Sequence, residues 1–333
     1  MSDSQTSKRW LPEHLYTQAQ KPRRVGIEIE LAGLQPDTIL SIIQSLFGGQ
    51  IEHRHSFCYE ITDSRSGKFK LELDAQMLQK IDLNFDPEFQ AITDQAMKWI
   101  QQAAEWIVPW EIVCPPIEIK KLTDLEKLFT ELRNAGAKGT YHATQFAFGL
   151  HLNPELPDHS SQTITRYLQS FLCLYDWIYA KERIDVVRKV APFIKHFPHD
   201  YIIRVLACDY KPDMNQLMDD YLLDNPTRNR TLDLLPLFTH INETRIRSTL
   251  PHEKINARPT LHYRLPNCDI DNPEWGLHKP WGLWLAVEAL AHNAELLQQF
   301  RRDYIKEISR LGHFADHKWV DYCDQELSKA KIV

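Results

Sequence analysis

Glu28 and Glu30 stand two residues apart in Val25-Gly-Ile-Glu-Ile-Glu-Leu31, a run in which apolar and polar residues alternate. In a β-strand that spacing sends both carboxylates to one face and Ile27, Ile29 and Leu31 to the other. Carboxylates about 7 Å apart on one pleat repel each other unless water or a cation lies between them. Three more segments carry polar groups in the same way. Glu111 opens Glu111-Ile-Val-Cys-Pro-Pro-Ile117, an apolar run in which a single carboxylate is costly to bury without a partner. Gly149-Leu-His-Leu-Asn153 aligns His151 with Asn153, and Arg258-Pro-Thr-Leu-His-Tyr-Arg264 aligns His262 with Arg264. Oxygen and imidazole donors spread over several strands are what a divalent-cation site on a sheet face needs.

Each of these residues also has a plainer explanation. Alternating glutamates line the solvent face of many amphipathic strands, and a lone histidine is more often a satisfied core residue than a ligand. In Lys68-Phe-Lys-Leu-Glu-Leu-Asp74, Glu72 and Asp74 share a face with Lys68 and Lys70, which reads as a charge-balanced edge. Arg245, Arg247, Arg258 and Arg264 form a local basic stretch in an acidic chain. It fits guanidinium forks around a phosphate or carboxylate, or ordinary surface ion pairs. Gly136-Ala-Lys-Gly-Thr140 lacks the spacing of a phosphate loop, and His53 with His55 has nothing nearby to complete a ligand set. There is no HExxH, GxSxG or GxGxxG.

The elements that must position these groups follow from periodicity and punctuation. A strand near 23–34 precedes a helix from Pro36 to Phe47, with proline in its first turn and Gly48-Gly49 at its end. Runs at 51–62 and 68–74 predict a hairpin around Asp63–Gly67. A long helix is expected from Asp86 to about Trp106, then a strand Val108–Cys114. The capping box Thr123-Asp-Leu-Glu126 opens a helix that stops at Gly136, and a strand spans Ala143–Asn153. Residues 160–224 are helical in pattern, 225–257 polar and rich in arginine, and 258–266 a strand. Helices are predicted over Trp281–Leu311 and Asp316–Lys329. The expected fold class is α+β: a curved, mostly antiparallel sheet of about six strands with helices on its outer face and a helical C-terminal half. Residues 1–21 read as a flexible lead-in. Residues 22–333 read as one domain, with a helical insertion at about 155–240 and a helical C-terminal segment at 275–333.

With 333 residues, 43% of them apolar and 25% charged, the chain can bury a sizeable core. A formal charge of −6 argues against nucleic acid and against an anionic membrane surface as partners. The longest apolar-looking run, Trp281 to Ala291, is too short to cross a bilayer and contains Glu288. Six dispersed cysteines without CxxC spacing, together with a polar N-terminus, point to reduced thiols and a cytoplasmic location.

In their order along residues 24–266, the motifs GxExE (Gly26–Glu30), EIVxPP (Glu111–Pro116), GLH (Gly149–His151) and the late strand ending in Arg264 resemble the amidoligase family. That family lies within the glutamine synthetase and glutamate–cysteine ligase superfamily. The resemblance implies a funnel-shaped sheet that binds ATP with Mg²⁺ or Mn²⁺ on its inner face and joins a carboxylate to an amine through an acyl-phosphate. It implies metal-binding roles for Glu28, Glu30, Glu111 and His151, and places His262 where relatives carry a metal-binding glutamate. Asn153 takes the place of a histidine near the nucleotide, with Arg245 and Arg247 as further nucleotide contacts. Arg264, aided by Arg258, would face the substrate carboxylate and the transferred phosphoryl group. The substrates expected are small-molecule or peptide carboxylates and amines, and a partner ligase or a glutamine amidotransferase-like enzyme is implied. A metal-dependent hydrolase on the same residues, or a catalytically silent binding relative, are the alternatives.

Overall fold

The computed structural model describes residues 10–55, 57–73, 110–140, 148–182, 195–311 and 317–333. The helix expected from Asp86 to Trp106, Asp74, and residues 143–147 of the predicted strand lie outside them.

Nine strands among the described residues form one antiparallel sheet: β1 (Arg24–Leu31), β2 (Gln50–His55), β3 (Cys58–Thr62), β4 (Phe69–Leu73), β5 (Trp110–Val113), β6 (Ile117–Glu118), β7 (Leu150–Pro154), β8 (Leu232–Asp233) and β9 (His262–Tyr263). Their order is β2-β3-β4-β5-β1-β7-β9-β8, with β6 also pairing β1. Two effects raise the count above the six expected. The run 51–62 folds back on itself as β2 and β3, and β6 and β8 have two residues each, too few to display alternation; the strand expected at 258–266 shortens to β9. Gly49 permits the tight entry into β2: its φ is +99°, and a Cβ there would lie 2.5 Å from the Thr62 carbonyl oxygen.

The register determines which side chains share a face. Glu28 pairs with Val113 and His151, Glu30 with Glu111, and Gly26 with Asn153, so these project to one side. Val25, Ile27, Ile29 and Leu31, all 0% exposed, project to the other, with Leu71, Ile112, Leu150, Leu152 and Tyr263. Helices cover this apolar side. In α1 (Pro36–Phe47), Ile39, Leu40, Ile43 and Phe47 are buried, and Phe47 meets Phe69 of β4 at 4.9 Å between ring centroids. Helix α2 (Glu126–Asn134) packs beside α1. Helix α3 (Ser161–Lys181), capped by the Ser160 hydroxyl, which accepts from the Thr163 amide, is buried around most of its circumference. Its Phe171 touches Tyr263, and so does Trp284 of α8 (His278–His292). Burying such a surface, at about 25 cal/mol per Å² of apolar area, is the main force holding helices to sheet.

The remaining helices are α4 (His199–Leu206), α5 (Met214–Asp224), α6 (Leu235–Ile241), α7 (Glu243–Thr249), α9 (Ala294–Leu311) and α10 (His317–Lys329). Four expectations change. The predicted helix 281–311 is two helices, because the Asn293 side chain accepts from the Leu296 amide and starts a new one. The capping box at 123–126 does not form: residues 119–125 are already a 3₁₀ turn, and Glu126 instead accepts from the His278 amide. The stretch 225–257, read only as polar and rich in arginine, holds β8, α6 and α7. Trp10, Leu11 and Leu15, part of the expected loose lead-in, lie against the core, while Tyr16 and residues 18–21 are exposed. Trp10 is 8% exposed and accepts a hydrogen bond on its carbonyl from the Trp281 indole, because its ring offers apolar area that the polar composition of the segment conceals.

A buried ion pair ties the last helices to the start of the sheet. Arg23, just before β1, is 0% exposed and meets Glu288 of α8 through two hydrogen bonds of 3.0 and 2.7 Å. Its remaining donors reach the carbonyls of His14 and Glu155, while Glu288 also accepts from Trp284 and Tyr167. A buried pair of charges persists when every donor and lone pair is satisfied in this way. Among the described residues, no helix is long and apolar enough to cross a membrane.

Candidate functional site

The polar face of the sheet carries the candidate residues. Strand β1 supplies Glu28 and Glu30; β5 supplies Glu111, opposite Glu30 on one side and Glu72 on the other. Strand β7 supplies His151 and Asn153, and β9 supplies His262, followed by Arg264. Gly26 leaves room for Asn153, since a Cβ there would lie 3.3 Å from that of Asn153.

Glu28 is the hub. Its Oε2 lies 3.0 Å from His151 Nδ1 and 3.7 Å from His262 Nε2. Its Oε1 accepts from Asn153 Nδ2 and from the Arg258 guanidinium, both at 3.0 Å. His151 Nε2 turns to Glu30, 3.6 Å away, and the other Glu30 oxygen accepts from the Gly149 amide at 2.6 Å. The His151 and His262 rings stand edge to face, with centroids 5.1 Å apart. Behind His262, its Nδ1 lies 3.6 Å from Asp233 of β8, a carboxylate with no exposed surface whose other oxygen accepts from the Leu235 amide. Arg264 is 5% exposed and donates to the Arg228 carbonyl.

Charge and burial work against each other here. Burial pushes the Glu28 carboxyl up, but the adjoining imidazoles of His151 and His262 outweigh it and hold the group well below the usual carboxylate range. Burial likewise lowers His151, against the pull of Glu28 and Glu30, which favours the neutral ring that a metal requires. Desolvation also draws the Arg264 guanidinium down from its ordinary value.

Two residues expected to contact a nucleotide point elsewhere. Arg245, on α7, makes a two-pronged ion pair with Asp219 of α5 at 2.9 and 2.6 Å and also reaches Asn215. Arg247 pairs with Glu243 one turn earlier and donates to the Ile255 carbonyl. A carboxylate on another helix satisfies Arg245 and one on the preceding turn satisfies Arg247, and neither contacts Glu28, His151 or His262. Arg258, in contrast, does reach the site, through Glu28.

The family described as "putative amidoligase enzyme" matches residues 21–286. The chain belongs to this family. A comparison with curated proteins returned no match. The match encloses every candidate residue of this amidoligase from Glu28 to Arg264, and it ends inside α8.

The donor set of the amidoligase suits a cation. Among the described residues, Glu28, His151 and His262 form a group whose ligand atoms all lie within 4.8 Å of one another. Both ring nitrogens of His262 are buried without a hydrogen bond, as is the Asp233 oxygen facing them. Unsatisfied buried polar atoms are costly, and an ion held by His262 Nε2 with Glu28 and His151 would relieve part of that cost. Sequence reasoning passed over Asp233. Its signal was a carboxylate inside the apolar run Leu232-Asp-Leu-Leu-Pro236, the same mark that singled out Glu111.

Proposed function

We propose that this amidoligase is an ATP-dependent carboxylate–amine ligase. The observation that carries the reading is the convergence of Glu28, Glu30, Glu111, His151, His262 and Arg264 on one face of one antiparallel sheet, with unfilled donor atoms at its centre. The polar face would form the inner wall of a glutamine synthetase-like funnel. Glu28, His151 and His262, with Glu30 and Glu111 beside them, would hold Mg²⁺ or Mn²⁺. Such an ion offsets charge on the phosphates of ATP.

Arg264 and Arg258 would take the opposite role and hold the anionic groups. A guanidinium fork orients a substrate carboxylate so that one oxygen attacks the γ-phosphorus and the bond to ADP breaks. The amine then attacks the acyl carbon, phosphate leaves, and the amine nitrogen gives up its proton. No side-chain nucleophile is needed. Asn153, which donates to Glu28, keeps that carboxylate turned toward the histidines. The six cysteines are all free and five of them are buried, which suits a reducing, cytoplasmic setting. A partner ligase or a glutamine amidotransferase-like enzyme would supply or consume the amide product.

The test is an ADP-release screen with Mg²⁺ or Mn²⁺ over panels of amino acids, polyamines and peptides as acid and amine. A carboxylate–amine pair should release ADP and phosphate in equal amounts, and Glu30→Ala should abolish that signal. Normal turnover by Glu30→Ala would remove the assigned site, and hydrolysis without nucleotide would make the protein a metal-dependent hydrolase instead.

A further inference from the structure

We propose that the Glu28–His151–His262 cluster holds a first-row transition ion of the Co²⁺ and Zn²⁺ class in preference to Mg²⁺. The inference rests on the metal-binding reading given above and specifies which ion that site selects.

The donor types argue for it. Mg²⁺ takes oxygen ligands in a nearly ideal octahedron and sheds its water reluctantly. The three side chains with ligand atoms within 4.8 Å of one another offer one carboxylate and two imidazoles. Imidazole binds later first-row divalent ions far better than Mg²⁺, and two histidines with one carboxylate leave open positions for substrate on such an ion.

The surroundings of His262 argue for it independently. The ring is 3% exposed, and neither nitrogen makes a hydrogen bond. Nε2 faces Glu28 at 3.7 Å, and Nδ1 faces Asp233 at 3.6 Å. With an ion on Nε2, the proton sits on Nδ1 and points at Asp233. That is the carboxylate–histidine–metal arrangement, in which an outer carboxylate fixes the ring's tautomer and raises its basicity. Asp233 is held for this role: one oxygen accepts from the Leu235 amide, and the other lies between the ring at 3.6 Å and the Arg228 guanidinium at 3.8 Å without a hydrogen bond to either.

The experiment uses the full chain stripped of metal and titrated with Mg²⁺, Mn²⁺, Co²⁺ and Zn²⁺ against a chromophoric chelator; the visible spectrum of the Co²⁺ form reports imidazole ligation. Co²⁺ and Zn²⁺ should bind at least about tenfold tighter than Mg²⁺. Asp233→Asn should weaken Co²⁺ about 10- to 100-fold while Mg²⁺ binding changes little. His262→Glu should shift the preference back toward Mg²⁺. Equal affinity for Mg²⁺ and Co²⁺ in the unaltered protein overturns the proposal, whatever the variants do. If Glu28→Ala binds metal as well as the unaltered protein, the site itself is misassigned and the metal set of the ligase reading fails with it. If Glu28→Ala loses metal but His262→Glu leaves the Co²⁺ to Mg²⁺ ratio unchanged, only the selectivity fails.

Discussion

Glu28 joins four side chains, His151, His262, Asn153 and Arg258, and its replacement tests each of them at once. Glu28→Ala leaves the Asn153 amide and the half-buried Arg258 without their acceptor, so a stability loss of about 1–3 kcal/mol is expected in urea unfolding. Glu28→Gln keeps one acceptor and should cost less, while ADP release is lost in both. Arg245→Ala should leave the apparent KM for ATP and the thermal stability nearly unchanged, since its exposed ion pair with Asp219 lies away from the sheet face; a raised KM would return Arg245 to the nucleotide. Period-two alternation made Glu28, Glu30, Glu111, His151, Asn153 and His262 legible in the sequence, because in a strand it settles which face a side chain takes. It could not reach Asp233, which sits in a strand of two residues. Local basicity at Arg245 carries no sign of the carboxylate 26 residues away on another helix with which it pairs.

Among the elements, α8 bears the largest single electrostatic commitment. Glu288→Ala strands a fully buried guanidinium, and a loss of about 3–5 kcal/mol is expected from denaturant unfolding. Asn293→Ala removes the cap between α8 and α9 and should cost about 1 kcal/mol, read from the same curves. The predicted helix at 36–47 has its counterpart in α1, and the helical pattern expected over 160–224 contains α3, α4 and α5, because an apolar stripe recurs along that stretch. What the sequence hid were short strands and interruptions: β6, β8 and the break at Asn293. These are determined by pairing with distant strands or by a single side-chain hydrogen bond, not by periodicity.

For the molecule as a whole, buried imidazoles dictate how stability changes with pH. His196, stacked 3.5 Å from Tyr175, is pushed down to about 3 by burial and by the nearby Arg230, and His151 is lowered in the same direction. A ring whose folded pKa lies below its unfolded value near 6.5 contributes its full stability above pH 6.5. As pH falls from 6.5 toward 3, the unfolded chain takes up a proton that the folded ring refuses, and His196 alone should cost on the order of 1 kcal/mol per pH unit. Glu28 adds to the loss below its own unfolded value, near 4.5. Urea midpoints at pH 7 and pH 5 should therefore fall with acid, and His196→Phe should flatten that slope.

The sheet face and the helix that steadies it come from opposite ends of the polypeptide. Arg23 directly precedes the strand bearing Glu28 and Glu30, yet its acceptor, Glu288, lies two positions past the last residue matched to the family. A recombinant fragment trimmed to 21–286 would thus retain every proposed ligand and still lose its keystone. Such a truncation should be recovered mainly as insoluble material, whereas one extended through α8 to residue 292 would regain the buried contact.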